Sequence, residues 1–215
     1  MCGIVGEFRL AAGPTTAPWS QLLGLMARRG PDDEGVWTDG ERCTLGFRRL
    51  SILDLSPTGR QPMVTEDGRY VIVYNGEVYN FPELKQELSR HGVRFRSTGD
   101  TEVVLYALAR RWHEALGRCN GMFALAIYDR VEKRLLLARD HAGIKPLYYL
   151  LGSEGVAFAS QYDQIMAHPW ARRLQVSQEA LGEYLNFGYI SAPSALLENS
   201  YMLEPGAWLE VDAQG

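Results

Sequence analysis

The residue best placed to do chemistry stands at position 2. An initiator methionine followed by a small residue is normally trimmed during synthesis, and Cys2 is small. Removal of Met1 puts a thiol and a free α-amino group on the same residue. Thiolate, not thiol, is the nucleophile. An α-amine titrates at roughly 7.7–8.0, against about 10.4 for a lysine, so a useful fraction is neutral at pH 7. A neutral amine within reach of the thiol can serve as its general base, so one residue supplies nucleophile and base without a histidine. By position alone, Cys2 reads more readily as an ordinary early strand residue.

The other candidates are weaker. Cys43 and Cys119 form no C-x-x-C pair with each other or with Cys2, so zinc-ribbon and thioredoxin readings have no support. They read as small packing residues. An odd cysteine count, with no secretory start, points to free thiols in a reducing cytosol. His91, His113 and His168 have no metal-ligand spacing and read as surface or satisfied core residues.

The elements that must position Cys2 follow from periodicity and punctuation. Cys2 to Phe8 reads as a strand in which Gly3 and Gly6 let another backbone approach. Trp19, Leu22, Leu23 and Met26 fall at helical spacing behind Pro18, before the loop Arg28 to Gly35. Strands are predicted over 35–38 and 43–49, around a turn at Asp39-Gly40. Residues 51–62 read as an extended loop. A buried strand over 70–74 is expected to end at Asn75-Gly76, which by itself reads as a tight turn.

Helices are predicted over 81–90, capped by Asn80, and over 101–116, with Asp100 as candidate N-cap and a stop at Gly117. A short strand is expected between them, over 93–96. Short apolar runs over 122–128, 134–139, 147–151 and 156–159 suit antiparallel pairing. Their near-continuous hydrophobicity implies cover on both faces, as when two sheets stack with helices outside. Helices over 161–167 and 177–186 follow, then a hairpin over 202–211 around Pro205-Gly206. Blocks of consecutive strands flanked by helices favour an α+β fold.

Composition excludes several classes. The 215 residues are 46% hydrophobic and 22% charged, with a net charge of −4. That is ordinary globular stock without a positive field for nucleic acid. Arginine doublets at 28–29, 48–49, 110–111 and 172–173 are dispersed among acids. The longest apolar run, Met122 to Tyr128, is far short of the roughly 18 residues of a membrane span. Glu7 and Arg9 interrupt any secretory h-region. The expectation is a cytoplasmic protein binding neither nucleic acid nor membrane.

A series of motifs then accumulates in order. Cys2-Gly3-Ile4-Val5-Gly6, Arg29-Gly30-Pro31-Asp32 and Arg49-Leu50-Ser51-Ile52-Leu53-Asp54 come first. Tyr74-Asn75-Gly76-Glu77-Val78-Tyr79-Asn80, Gly99-Asp100-Thr101-Glu102, Gly121-Met122-Phe123-Ala124 and Arg139-Asp140-His141-Ala142-Gly143-Ile144-Lys145-Pro146-Leu147 follow. Together they span most of residues 2–160 and strongly resemble the class II glutamine amidotransferases of the asparagine synthetase type. The resemblance implies a four-layer αββα sandwich of two stacked antiparallel sheets with outer helices, of the N-terminal nucleophile hydrolase type. It implies hydrolysis of L-glutamine to glutamate and ammonia through a Cys2 thioester.

It also assigns roles. Cys2, Asn75 and Gly76 become catalytic, the last two as an oxyanion hole made of a side-chain amide and a backbone N–H. Arg49 matches the family's carboxylate-binding arginine. Glu77 and Asp100 match groups near the α-ammonium, Asp100 being the direct partner. Backbone atoms of Leu50, Ser51, Ile52 and Leu53 line the glutamine pocket. Arg29 to Asp32 read as architectural, Arg48 as solvent-facing, and His141 and Lys145 as loop or interdomain residues. No H-x-E follows an internal cysteine, so the Cys-His-Glu type of glutaminase is excluded.

Residues 2–160 are expected to be the glutaminase core. Residues 161–215 are expected to be C-terminal helices and a hairpin of the same domain, leading toward a missing synthetase domain. The pyrophosphate-binding Ser-Gly-Gly-x-Asp-Ser loop of such a domain is absent here, as is any Walker-type motif. No cofactor is expected in this domain, with ATP and Mg confined to the missing one. The implied partners are L-glutamine and a synthetase domain in cis or in trans, and a homodimer stays open. After Phe158-Ala159-Ser160 the family has an acidic residue and a lysine where this chain has Gln161-Tyr162-Asp163-Gln164, which opens the way to an acceptor other than aspartate. Three alternatives remain: a vestigial or scaffolding glutamine-binding domain, an N-terminal-nucleophile amidohydrolase for another amide, and a glutaminase serving a non-aspartate acceptor.

Overall fold

Consecutive residues of the strand Gly121–Asp129 belong to two different cores. Phe123, Leu125 and Ile127 enter one apolar cluster, and Ala124, Ala126 and Tyr128 enter another. Tyr70–Val78 repeats the pattern, with Ile72 and Tyr74 on one side and Val71 and Val73 on the other. A strand buried on both faces loses the polar alternation of a half-exposed one. That is why these segments read as unbroken apolar runs.

The computed structural model describes residues 1–214. The first sheet holds β1 (Gly3–Arg9), β2 (Asp33–Thr38), β3 (Cys43–Arg49), β8 (Tyr148–Gly152), β9 (Gly155–Ala159) and β10 (Ser200–Met202), in the order β10-β8-β9-β1-β3-β2. The second holds β4 (Met63–Val64), β5 (Tyr70–Val78), β6 (Gly121–Asp129), β7 (Arg134–Arg139) and β11 (Trp208–Asp212), in the order β11-β7-β6-β5-β4. All pairings are antiparallel.

The layer between the sheets contains Ile4, Phe8, Leu45, Phe47, Val71, Val73, Leu135, Leu137 and Phe158. On the outer face of the second sheet lie α2 (Phe81–Arg90) and α3 (Asp100–Arg111), through Leu84, Leu88, Val104, Leu105 and Leu108. On the outer face of the first lie α1 (Trp19–Leu25) and α4 (Tyr162–Ala167), through Leu22, Leu23 and Ile165. The result is the expected four-layer αββα sandwich. A fifth helix, α5 (Gln178–Phe187), ends at Gly188 in the left-handed region, φ 78°. Among the described residues, no helix is long and apolar enough to cross a membrane.

Several local expectations need correction. Asn75-Gly76 is not a turn: β5 runs through it to Val78, with Asn75 opposite Ala124 and Gly76 opposite Phe123. A Cβ on Gly76 would lie 2.3 Å from the Met122 carbonyl oxygen, so this glycine permits close strand approach rather than reversal. The C-terminal hairpin is also absent. Its two arms join different sheets, β10 pairing with β8 and β11 with β7, because the Pro205-Gly206 segment crosses between layers.

Residues 93–96 form no strand. The helix predicted to reach 116 stops at Arg111. There Trp112 takes φ 50° and donates its indole N–H to Glu210 Oε2 at 2.8 Å, and a 3-10 turn follows. Asn80 does stand at the N-cap of α2, but its side chain bonds to Asn120 N and Arg118 O instead of capping.

Candidate active site

Cys2 precedes β1, whose pairing with β3 sets Gly3 opposite Arg48. The thiol therefore sits beside the end of β3. Its Sγ is 3.4 Å from Leu50 N and 3.5 Å from Leu50 O. Burial pushes the Cys2 thiol up, while the Leu50 N–H, the chain-terminal charge and the guanidinium groups of Arg49 and Arg29 pull against it. A thiol held above its usual value is protonated at neutral pH, so the attack needs a base at hand. Met1 is exposed.

The neighbouring loop is tied down by the motif read as architectural. Arg29 donates through Nε to the Cys2 carbonyl at 3.0 Å, and Asp32 Oδ2 accepts from Ser51 N at 2.7 Å. Gly30 lies so close to the Arg48–Arg49 peptide that a Cβ would come within 2.4 Å of its carbonyl carbon. Arg29 thus touches the nucleophile's own residue. Arg48 pairs with Glu34 at 2.7 Å and donates to Leu23 O, half-buried instead of free in solvent.

One pocket gathers Cys2, Arg49, Leu50, Ile52, Leu53, Gly76, Glu77 and Asp100, together with Asp54, Gly59, Gln61, Tyr74 and Thr101. Ser51 is outside the lining. Asn75 is sealed behind it, 2% exposed, and its Nδ2 has no hydrogen-bond partner. By alternation with Val71 and Val73, Asn75 points into the layer between the sheets, where Cys2 also packs. A buried donor left unpaired costs free energy, so its position calls for an acceptor supplied from outside.

Gly76 presents its N–H on the opposite edge of β5 from β6. Phe123, its partner across the ladder, gives its N–H and C=O to Asp140 rather than to Gly76. Two residues on, the equivalent donor Val78 N bonds to Asp100 Oδ2 at 2.8 Å. The Gly76 N–H therefore opens on the pocket.

Asp100 is the first residue of α3 and not its cap: Gly99 holds that place, without any side-chain cap. Its carboxylate turns inward, Oδ2 accepting from Tyr74 OH at 2.7 Å and from Val78 N. Burial raises the Asp100 carboxyl above its usual value, and Tyr74 and Val78 only partly offset this. A buried carboxylate of this kind is relieved by a cationic ligand.

Arg49 is buried, and its guanidinium braces the loop that follows it. Nη1 donates to Ser56 O at 3.1 Å and Nη2 to Asp54 O. Each η nitrogen keeps a second hydrogen for a ligand. A Cβ on Gly59 would fall 2.3 Å from Nη2, so only glycine leaves this space open. Asp54 is in turn held by Ser56 Oγ at 2.6 Å, Ser56 N at 2.8 Å, Thr58 Oγ1 and Thr98 N. Those bonds, led by the Ser56 hydroxyl, hold its carboxyl well below the usual carboxylate range. The brace therefore survives until pH falls below that range.

The sequence reading missed Gln61, Tyr74 and Asp54 at this pocket. Residues 51–62 looked featureless, yet the spacing of Gln61 from Met63 places it opposite Tyr74 once β4 and β5 pair.

The sequence and the fold both resemble those of known proteins. The sequence matches the family described as the glutamine amidotransferase domain over residues 1–215. It is 38% identical to asparagine synthetase [glutamine-hydrolyzing] 1 of Bacillus subtilis, covering 100% of this chain and 34% of that protein. It is 36% identical to asparagine synthetase [glutamine-hydrolyzing] 2 of the same organism, covering 99% and 29%. The chain thus spans about a third of the length of these relatives. The fold resembles that of glutamine phosphoribosylpyrophosphate amidotransferase from Bacillus subtilis, with TM-score 0.67 and 19% identity over 100% of this chain and 48% of that one.

Proposed function

This chain belongs to the glutamine amidotransferase domain family, and from that premise we propose that it hydrolyses L-glutamine to glutamate and ammonia through a thioester on Cys2. The observation that carries the reading is the convergence on one pocket of a thiol, a buried anion and cation, and the open Gly76 donor, with the orphaned Asn75 amide behind. Arg49 binds the substrate's α-carboxylate through its remaining η hydrogens, and Asp100 binds the α-ammonium. That fixes the side-chain amide over Cys2.

With Met1 removed, the α-amine of Cys2 takes the thiol proton as sulfur attacks the amide carbon. The negative charge that forms on oxygen is met by Asn75 Nδ2–H and Gly76 N–H. The amine returns its proton to the departing nitrogen, ammonia leaves, and water resolves the thioester through a second oxyanion. The ammonia then passes to an ATP-dependent synthetase domain in cis or in trans, which consumes it. Gln161-Tyr162-Asp163-Gln164 stands where the family pattern has an acidic residue and a lysine, which supports an acceptor other than aspartate as the second reading.

A coupled assay of glutamate release, run on material whose intact mass shows Met1 absent, tests the proposal. No release from such material would refute it, whereas normal turnover by protein retaining Met1 would remove the amine from the mechanism.

The pH dependence has a definite sign. On lowering pH, kcat is expected to fall as the α-amine protonates, from about pH 8 downward on its ordinary value. KM is expected to rise on the same side, because Asp100, pushed up by burial, protonates above the ordinary carboxylate range and loses its hold on the ammonium. A kcat that stays flat down to pH 5 in folded protein would contradict the amine's role, and a KM that stays flat down to the ordinary carboxylate range would contradict that of Asp100.

Arg49→Lys tests the carboxylate site. A single ammonium cannot brace Asp54 O and Ser56 O while also gripping a carboxylate with two parallel bonds. KM for glutamine is expected to rise at least about tenfold, the scale of one lost charge-assisted bond. An unchanged KM would take Arg49 out of the site.

A further inference from the structure

Gln61 lines the pocket, yet none of the steps above uses it. Its place follows from register. Met63 pairs with Ile72 and Val64 with Val71, so a longer β4 would set residue 61 opposite Tyr74. The backbone does not continue in that way. It swings toward the other sheet, where Gln61 O packs so closely on β2 that a Cβ on Gly35 would lie 2.3 Å from it.

The side chain makes the pairing instead. Gln61 Oε1 accepts from Tyr74 N at 2.7 Å, and Nε2 donates to Tyr74 O at 3.1 Å. These are the two bonds that a directly opposed residue exchanges in an antiparallel ladder. Nε2 also reaches Thr101 Oγ1 at 3.5 Å, on the first turn of α3 beside Asp100. The whole side chain is buried.

Along this edge of β5, the N–H groups of Tyr74, Gly76 and Val78 point the same way. A side-chain amide takes the first and the Asp100 carboxylate takes the third. The second, Gly76, lies between two fixed points and faces the pocket.

We propose that Gln61 is a positioning residue for glutamine hydrolysis: its amide stands in for the missing strand and holds the Tyr74–Asn75–Gly76 backbone at the angle that aims both oxyanion donors. The inference rests on the glutaminase reading of the Cys2 pocket. It differs from a merely structural role in what it predicts. Arg49 lies on β3 and Asp100 on α3, so glutamine still docks when Gln61 is lost. The donors, which act on charge formed only during reaction, go out of line. The loss falls on kcat and leaves KM nearly alone.

The test is steady-state glutaminase kinetics on Gln61→Met and Gln61→Glu, with thermal melts to establish folding. Methionine keeps the volume and removes both bonds. Its kcat is expected to fall at least about tenfold, with KM within about threefold of wild type. A protonated glutamic acid keeps one donor and one acceptor for Tyr74, losing only the second amide hydrogen that faces Thr101, whereas its carboxylate meets the Tyr74 carbonyl with repulsion. The ratio of Gln61→Glu to wild-type kcat, taken at each pH, is therefore expected to drop at least about fivefold between pH 6 and pH 8.5, since burial raises a carboxyl's titration into that window.

If the methionine variant does not fold, the glutamate ratio decides. A folded Gln61→Met with kcat within about twofold of wild type, or a Gln61→Glu ratio that ignores pH, overturns the proposal. An inactive wild type would sink the glutaminase reading and this inference with it. An active wild type with indifferent Gln61 variants would sink this inference alone.

Discussion

Cys2→Ala is expected to reduce glutamate release from glutamine to background, a loss of about 10⁴-fold or more, because no other nucleophile in the pocket can form the thioester. Cys43 and Cys119 are buried in packed clusters, and burial pushes both thiols up, Cys119 to about 11. Neither can take over. The fold should survive the change, since Cys2 is only partly buried and the hydrogen bonds of its Sγ are the two long ones with Leu50, at 3.4 and 3.5 Å. The measurement is glutamate formation by wild type and variant at saturating glutamine, with melts run in parallel. Equal release from both would end the mechanism.

The second large effect combines opposite signs. Asn75→Ala is expected to cut kcat by about 10²–10³-fold, the usual consequence of losing one oxyanion donor. Its effect on KM should be small, because the ground-state amide oxygen gains less from that donor than the oxyanion does. Stability should not fall in step. The Asn75 Nδ2 is buried without a partner, and an unpaired buried donor costs about 1–3 kcal/mol. Removing it relieves that cost and leaves a cavity in exchange, so the melting temperature is expected to hold or rise. A strongly destabilised variant would mean that Asn75 serves the fold, and a fully active one would remove it from the oxyanion site.

These two residues illustrate why the pocket is built between the sheets. Cys2 stands just before β1, a central strand of one sheet, and Asn75 lies on the inner face of the other. Stacking the two sheets sets both against the layer between them, where preorganised donors act strongly. Asp100 arrives from the helix layer outside and reaches through the edge of β5, past Tyr74. The site therefore draws on three of the four layers, and its precision depends on their packing.

Much of this was legible in the chain. The unbroken apolar runs of β6 and β7 report cover on both faces, and hence stacked sheets. Cys2 is marked by its place after Met1. The spaced motifs around Arg49, Asn75 and Asp100 fix the family, and seven of the residues assigned from them meet Cys2 in one pocket. Local signals misled at Asn75-Gly76, which has turn chemistry but lies inside a strand because β6 pairs with it up to Val78. They misled again at Pro205-Gly206, where β10 and β11 flank a turn but belong to different sheets.

The amino-acid order alone settled what kind of chemistry the chain can perform, because nucleophile, amine and charged partners are properties of residue types. Three-dimensional packing decided which donors remain free for that chemistry. A hydrogen-bonding group is free or spent according to its neighbours across the sheet. Here those neighbours are Asp140 at Phe123, Asp100 at Val78 and Gln61 at Tyr74, pairs 17, 22 and 13 positions apart in the chain. No local pattern encodes that; strand register does.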